Sequence, residues 1–76
     1  MEIKEQNTEN WITETYPGGD RYEGEFNETK REGKGIYYFA EGEKYDGDFK
    51  DGKREGRGVE TYTDGGKYEG NWKSDK

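Results

Sequence analysis

Lys30, Arg31 and Lys34, echoed further along by Lys53, Arg54 and Arg57, have the type and spacing to hold a phosphate or an anionic lipid headgroup. Electrostatic membrane binding takes about four to eight clustered cations, each worth about 1 kcal/mol at an anionic surface. Here the cations are interleaved with Glu28, Glu32, Asp51 and Glu55. Residues 27–34 and 50–57 hold seven cations against four acids, and the rest of the chain holds six against fifteen, for a net charge of −6. The plainer reading is favoured: solvated links whose cations pair with Glu32 and Glu55. Peripheral membrane or phosphoinositide contact ranks second. Nucleic acid ranks below both, because a duplex would meet an acidic body, and no nucleic-acid partner is expected.

Catalytic chemistry has little to work with. The chain has no His and no Cys, and its single Ser is Ser74. General acid–base catalysis at neutral pH would require a Glu, Lys or Tyr whose pKa is moved several units by burial. A chain that is only 24% hydrophobic offers little interior for that. No catalytic residue is expected, and the reading is of a protein that is not an enzyme. The lack of Cys removes disulfides and the usual Cys-rich zinc sites. Asp46, Asp48 and Asp51 suggest calcium, but an EF-hand loop needs its third ligand where Lys50 stands. Gly33-Lys34-Gly35 and Gly56-Arg57-Gly58 lack the third glycine and the helix of a dinucleotide site. Neither a metal nor a cofactor is expected.

The elements that must position these residues are hidden by the composition. With 42% charged residues, the 76-residue chain sits near the disordered class. Yet it carries seven Tyr, three Phe and two Trp, and disordered chains are poor in aromatics. Alignment of the chain with itself gives the reason. Tyr22, Tyr45 and Tyr68 are 23 residues apart; Gly24, Gly47 and Gly70 follow two residues later, and Phe26, Phe49 and Trp72 two after that. The same shift carries Gly33 onto Gly56, Gly35 onto Gly58, Phe39 onto Tyr62 and Gly42 onto Gly65. Backwards, it reaches Thr13, Tyr16 and Gly19. A fixed period of this length marks a repeat architecture.

Within a repeat the spacing is two, which reads as strand. In Tyr22 to Phe26 the rings and the glycine share one face, and Glu23 and Glu25 share the other. Tyr45 to Phe49 repeats this with Asp46 and Asp48 outward. A second strand type aligns Gly33, Gly35, Tyr37 and Phe39, echoed by Gly56, Gly58, Glu60 and Tyr62. Glycine weakens a strand, so its placement needs a cause. The favoured one is space for neighbouring rings; the alternative is β-bulges.

Pro17 to Asp20, Glu41 to Glu43 and Asp64 to Gly66 read as turns in which glycine supplies positive φ. Asn27 to Glu32 and Lys50 to Glu55 read as longer links. Short links exclude a parallel sheet and imply an antiparallel meander of about six strands. No helical period occurs, and no apolar run exceeds Ile36 to Ala40, too short for a transmembrane helix or a signal-peptide core. A cytoplasmic chain is the expectation.

The segment Tyr45-Asp46-Gly47-Asp48-Phe49-Lys50-Asp51-Gly52-Lys53-Arg54-Glu55-Gly56-Arg57-Gly58 resembles the membrane occupation and recognition nexus (MORN) repeat. The resemblance covers full repeats at 22–44 and 45–67 and half repeats at 11–21 and 68–76, outside a polar arm at 1–10. Glu32 and Glu55 stand where the family often has His, and Thr29 replaces the loop glycine present as Gly52. The resemblance implies an all-β protein, an antiparallel β-hairpin meander forming an elongated, twisted, single-layer sheet with an aromatic groove. It also implies a non-catalytic interaction or scaffold module, of the kind found with oligomers, membranes, cilia and the cytoskeleton.

The groove is the stronger candidate site, because Tyr and Trp combine large apolar area with a polar tip. Its expected partner-binding residues on the first strand type are Tyr22, Phe26, Tyr45, Phe49, Tyr68 and Trp72. On the second type they are Tyr16, Tyr37, Phe39 and Tyr62. The half repeats leave a strand at each end, from Trp11 to Tyr16 and from Tyr68 to Trp72. Unpaired edges are templates for addition. Self-association or a protein partner at these ends, through Trp11 and Trp72, is therefore expected.

Overall fold

The computed structural model describes residues 11–75, and the arm expected over 1–10 lies outside the described residues. Six strands follow in order: β1 (Ile12–Thr15), β2 (Arg21–Asn27), β3 (Lys30–Tyr38), β4 (Lys44–Lys50), β5 (Lys53–Thr61) and β6 (Lys67–Trp72). Each pairs antiparallel with the next, giving one open six-stranded sheet in chain order. This is the hairpin meander that the spacing implies. The sheet measures 36 × 30 × 23 Å, and the third dimension exceeds the thickness of one flat layer because paired strands twist.

Two kinds of link alternate. The loops before β2, β4 and β6 are copies of one another. Tyr16 N–H donates to Asp20 O (2.9 Å), Phe39 N–H to Glu43 O (2.8 Å) and Tyr62 N–H to Gly66 O (2.8 Å). Each loop turns on a left-handed glycine: Gly19, Gly42 or Gly65, with φ of 104°, 112° and 94°. The links before β3 and β5 are shorter than expected. β2 runs to Asn27 and β3 starts at Lys30, while β4 runs to Lys50 and β5 starts at Lys53, leaving two-residue turns at Glu28-Thr29 and Asp51-Gly52. Asp51 and Gly52 both have positive φ (55° and 82°), the hairpin turn whose twist suits right-twisted strands. Lys30, Arg31, Lys53 and Arg54 therefore belong to strands and obey their alternation, instead of fanning out from a long loop.

The glycines divide between the two readings of the sequence. Pairing of β2 with β3 jumps from Gly24↔Gly35 to Phe26↔Arg31, and pairing of β4 with β5 from Gly47↔Gly58 to Phe49↔Arg54. The displaced residues bulge at Gly33 (φ 87°) and Gly56 (φ 82°). Each bulge is closed by an acid from the facing strand. Glu25 Oε1 accepts Lys34 N–H at 2.8 Å, and Asp48 Oδ2 accepts Arg57 N–H at 3.2 Å. Glu25 and Asp48 are thus ladder substitutes as well as surface charges; Asp48 Oδ1 also pairs with Lys34 Nζ at 2.7 Å.

Gly24, Gly35, Gly47 and Gly58 instead make room. Gly24 opposes Gly35 and Gly47 opposes Gly58, so closely that a Cβ on Gly47 would stand 2.5 Å from Gly58 Cα. The Tyr22 ring lies across Gly35 and the Tyr45 ring across Gly58. Their hydroxyls donate to Glu25 O and Asp48 O, both at 2.9 Å. Tyr22 and Tyr45 are fully buried and Phe49 nearly so, which makes them the core.

Candidate functional site

Cross-strand partners share a face, so the register fixes what lines the groove. Tyr22 opposes Tyr37, Tyr37 opposes Tyr45, Tyr45 opposes Glu60 and Glu60 opposes Tyr68. The rings form a continuous edge-to-face ladder in the order Phe26, Tyr22, Phe49, Tyr45, Trp72, Tyr68. Successive centroids are 5.0–5.4 Å apart and successive planes cross at 83–89°. This geometry sets ring edges against ring faces, the preferred arrangement for aromatic pairs. Beside the ladder, Tyr16 stacks on Tyr37 at 6.0 Å and Tyr37 meets Phe39 at 4.8 Å.

The ten predicted contact rings therefore fall into two groups. Tyr22, Tyr45 and Phe49 are sealed in and serve the fold. Tyr16, Phe26, Tyr37, Phe39, Tyr62 and Trp72 are half-buried, and Tyr68 is exposed, so these seven are the rings a partner can touch. Burial pushes the Tyr45 phenol up to about 12, only partly offset by the backbone bond to Asp48 and the nearby Arg54 charge. Burial and the bond to Glu14 push Tyr16 up to about 12. Burial, followed by the bond to Asp20, raises Tyr37.

Arg31 and Arg54 also line the groove, a placement that the reading of basic links missed. Arg31 opposes Phe26 and Arg54 opposes Phe49. The signal was present in the parity: Arg31 is in phase with Gly33, Gly35 and Tyr37, and Arg54 with Gly56 and Gly58. The Arg31 guanidinium lies 5.0 Å from the Tyr37 centroid, 5.8 Å from Phe49 and 5.9 Å from Tyr22. That of Arg54 lies 4.4 Å from Trp72. Glu60, in the same phase, is buried at 7% exposure and accepts Arg54 Nη1 at 3.0 Å.

Of the six cations offered for phosphate or lipid, the structure thus turns two into the aromatic face and pairs a third, Lys34, with Asp48. Lys30, Lys53 and Arg57 remain exposed. Glu32 and Glu55 do not neutralise the links as expected. They bind backbone: Glu32 Oε1 accepts Asp51 N–H (3.1 Å) and Glu55 Oε1 accepts Ser74 N–H (2.9 Å). Each ties its repeat to the next turn. Asp46, Asp48 and Asp51 form no metal cluster, and no group of three potential ligands occurs among the described residues.

Two clefts interrupt the groove. One, of about 260 Å³, is lined by Glu14, Tyr16, Phe26, Thr29, Lys30, Arg31 and Gly52. The other, of about 180 Å³, is lined by Tyr37, Phe39, Phe49, Gly52, Arg54 and Asp75, with Arg31 on its border. Glu14, Tyr16, Phe26, Thr29, Arg31 and Gly52 map onto the second set by a shift of 23, so these are one site repeated.

At the ends, Trp72 is not a free anchor but a member of the ladder, between Tyr45 and Tyr68. Trp11 precedes β1 and is half-buried. The indole nitrogens of both are shielded from solvent without a hydrogen-bond partner among the described residues. Ile12, opposite Gly24 in β1, is 54% exposed on the groove side.

Among curated proteins none matches the chain. The model of the MORN repeat family matches residues 22–44, 45–67 and 68–76. These residues contain the Tyr-over-Gly strands, the glycine bulges and the aromatic ladder just described. By this match over most of its length, the chain belongs to the MORN repeat family.

Proposed function

We propose that the chain is a non-catalytic interaction module that holds a protein partner as a segment laid along the aromatic groove. MORN repeats are generally implicated in protein–protein or membrane interactions. The observation that supports the protein reading here is the pair of equivalent clefts floored by rings. Equivalent strands one repeat apart lie about 9.6 Å from each other, twice the strand spacing. Three residues of a polyproline II segment span about 9.3 Å and complete one turn, which returns every third side chain to the same face. A segment crossing the strands therefore presents every third side chain to an equivalent cleft. Half-buried Tyr and Phe suit such contacts because two χ angles leave little rotamer entropy to lose.

Membrane binding is the weaker reading, since Arg31 lies among the groove rings, Arg54 is paired with Glu60 and Asp75, Lys34 is paired with Asp48, and the remaining cations are few. Panning a random 12-residue peptide library on phage against the full chain tests the choice. Enrichment of peptides with apolar or aromatic residues three apart is expected. Phe39→Ala, which opens one cleft at a half-buried ring packed against the core, should reduce that enrichment, with circular dichroism at the panning temperature showing that the sheet is retained. A library that yields no specific peptides, with the chain instead pelleting on vesicles containing phosphoinositide, would overturn the proposal in favour of the membrane reading.

A further inference from the structure

Arg31 and Arg54 are equivalent by the repeat, and their backbones are held alike. Gly52 N–H donates to Arg31 O at 3.0 Å, and Asp75 N–H donates to Arg54 O at 2.9 Å. In return Arg31 Nη2 donates to Gly52 O at 2.7 Å, and Arg54 Nη2 donates to Asp75 O at 3.4 Å. Both guanidinium groups rest against rings of the groove.

They differ in neutralisation. Arg54 Nε lies 3.1 Å from Asp75 Oδ1 and Arg54 Nη1 lies 3.0 Å from Glu60 Oε1. The positions corresponding to Asp75 and Glu60 around Arg31 are Gly52 and Tyr37, and neither carries a charge. Among the described residues no carboxylate comes within ion-pair distance of Arg31. The nearby acids bond elsewhere: Glu14 Oε1 accepts the Tyr16 hydroxyl at 2.7 Å, Asp20 Oδ2 accepts the Tyr37 hydroxyl at 2.8 Å, and Asp75, which feels the Arg31 charge across the cleft, is bonded to Arg54. A half-buried guanidinium has five donors in a fixed fork. Ring faces attract its charge but accept none of its bonds in the way a carboxylate does.

We infer that Arg31 is the receptor for a carboxylate from the bound partner, an Asp or Glu side chain of a segment in the groove, set as Asp75 is set against Arg54. The inference rests on the peptide reading of the groove given above. Asp75 shows the geometry that such a carboxylate would adopt. It also shows its electrostatics: burial works to raise the Asp75 carboxyl, yet the bonds and charge of Arg54 outweigh burial and hold it below the ordinary carboxylate value. A singly charged carboxylate also fits better than a phosphate. One guanidinium faces it, within a chain of net charge −6 and with Glu14 and Asp20 close by. The acidic anchor fixes direction and register, because Arg31 lines both clefts and, among the described residues, only Arg54 of the two groove guanidinium groups has carboxylates in ion-pair contact.

The repeat supplies the test. Gly52→Asp places at Arg31 the acid that Asp75 places at Arg54. Gly52 has φ of 82° and Asp75 of 72°, and a Cβ at Gly52 would stand 3.7 Å from Arg31 Nη2, an ordinary contact. Gly52→Asn has the same shape without the charge, and both Asp and Asn tolerate the left-handed region. Peptides panned on the full-length wild-type chain should be enriched in Asp or Glu at one fixed distance from their apolar anchor. Their binding should weaken about tenfold on Gly52→Asp, equivalent to about 1.4 kcal/mol, and should change little on Gly52→Asn. Arg31→Gln should lose the acidic preference while retaining the apolar one.

Apolar peptides without an acidic preference on the wild type would overturn the inference and leave the groove reading intact. So would an acidic preference that survives Gly52→Asp, or one that Gly52→Asn removes equally. A library that yields no specific peptide at all would overturn both.

Discussion

The Tyr45 ring lies flat on Gly58 of the next strand, close enough that any β-carbon there would overlap the phenol. The ring spans two strands, and its hydroxyl donates to Asp48 O at 2.9 Å on the way past. One contact thus joins an aromatic, a glycine and a backbone carbonyl, and it recurs at Tyr22 with Gly35.

Gly58→Ala should be among the most damaging single methyl additions in the chain. The ring must lift, losing its hydrogen bond and its place in the ladder, and overpacking alone costs about 1–3 kcal/mol. Against a total stability of about 5 kcal/mol for a small domain, the loss is large. Gly18→Ala, where no atom lies within 4 Å of the new methyl, should be within about 0.5 kcal/mol of wild type. Thermal melts followed by near-UV circular dichroism compare the two.

Tyr45→Phe isolates the hydroxyl. It leaves the ring in place and leaves Asp48 O without its donor, so a loss of about 1–2 kcal/mol is expected. Tyr68→Phe removes the corresponding bond to Asn71 O, 3.0 Å, at a ring that is 42% exposed. Water can replace that donor, and the loss should be smaller. Urea unfolding of both variants measures the difference.

Alkaline pH should unfold the sheet. Tyr16 and Tyr45 have folded pKa values raised to about 12 by burial, above the ordinary value near 10, and burial raises Tyr22 and Tyr37 as well. A group whose folded pKa is raised contributes stability that is fully present below its unfolded pKa. That stability is lost as pH rises through the folded value. Stability should therefore hold to about pH 10 and fall between about 10 and 12. Phenolate absorbance near 295 nm should rise in step with the loss of circular dichroism over that interval. Phenols that titrate without loss of structure would contradict the burial argument.

Head-to-tail growth of the sheet meets a specific obstacle. A second copy adding its β1 to β6 in the register of β2 with β3 would set Ile12 opposite Gly70, under the Tyr68 ring. The corresponding positions in β3 and β5 are Gly35 and Gly58. Wild-type chain should therefore not polymerise by this route in sedimentation over a wide concentration range. Ile12→Gly should permit concentration-dependent association, and growth of the wild type through β1 and β6 would show that another register is used.

Much of this molecule is written in its period. The 23-residue repeat set the number and order of strands, and parity set the face of every ring from Tyr16 to Trp72. These are local properties, because a strand alternates every two residues and a short link can join only antiparallel neighbours. The roles of the glycines needed the register: Gly33 and Gly58 have similar sequence settings, but one bulges and the other lies under a ring.

The link regions were misjudged because composition does not show where a two-residue turn ends. Only that turn put Arg31 and Arg54 back into the alternation. Tyr22 and Tyr45 could be assigned to the groove face but not recognised as closed to partners, since Phe49 and Trp72 of the following repeat cover them. The lack of an ion-pair partner for Arg31 among the described residues was equally invisible. It depends on Gly52, brought beside Arg31 by the next hairpin, and on Tyr37, six residues further along the same strand. The sequence alone determined which residues face one another's side of the sheet. Contact across repeats decided which of them are spent on the fold and which remain available, because burial is a property of neighbours that only the assembled sheet brings together.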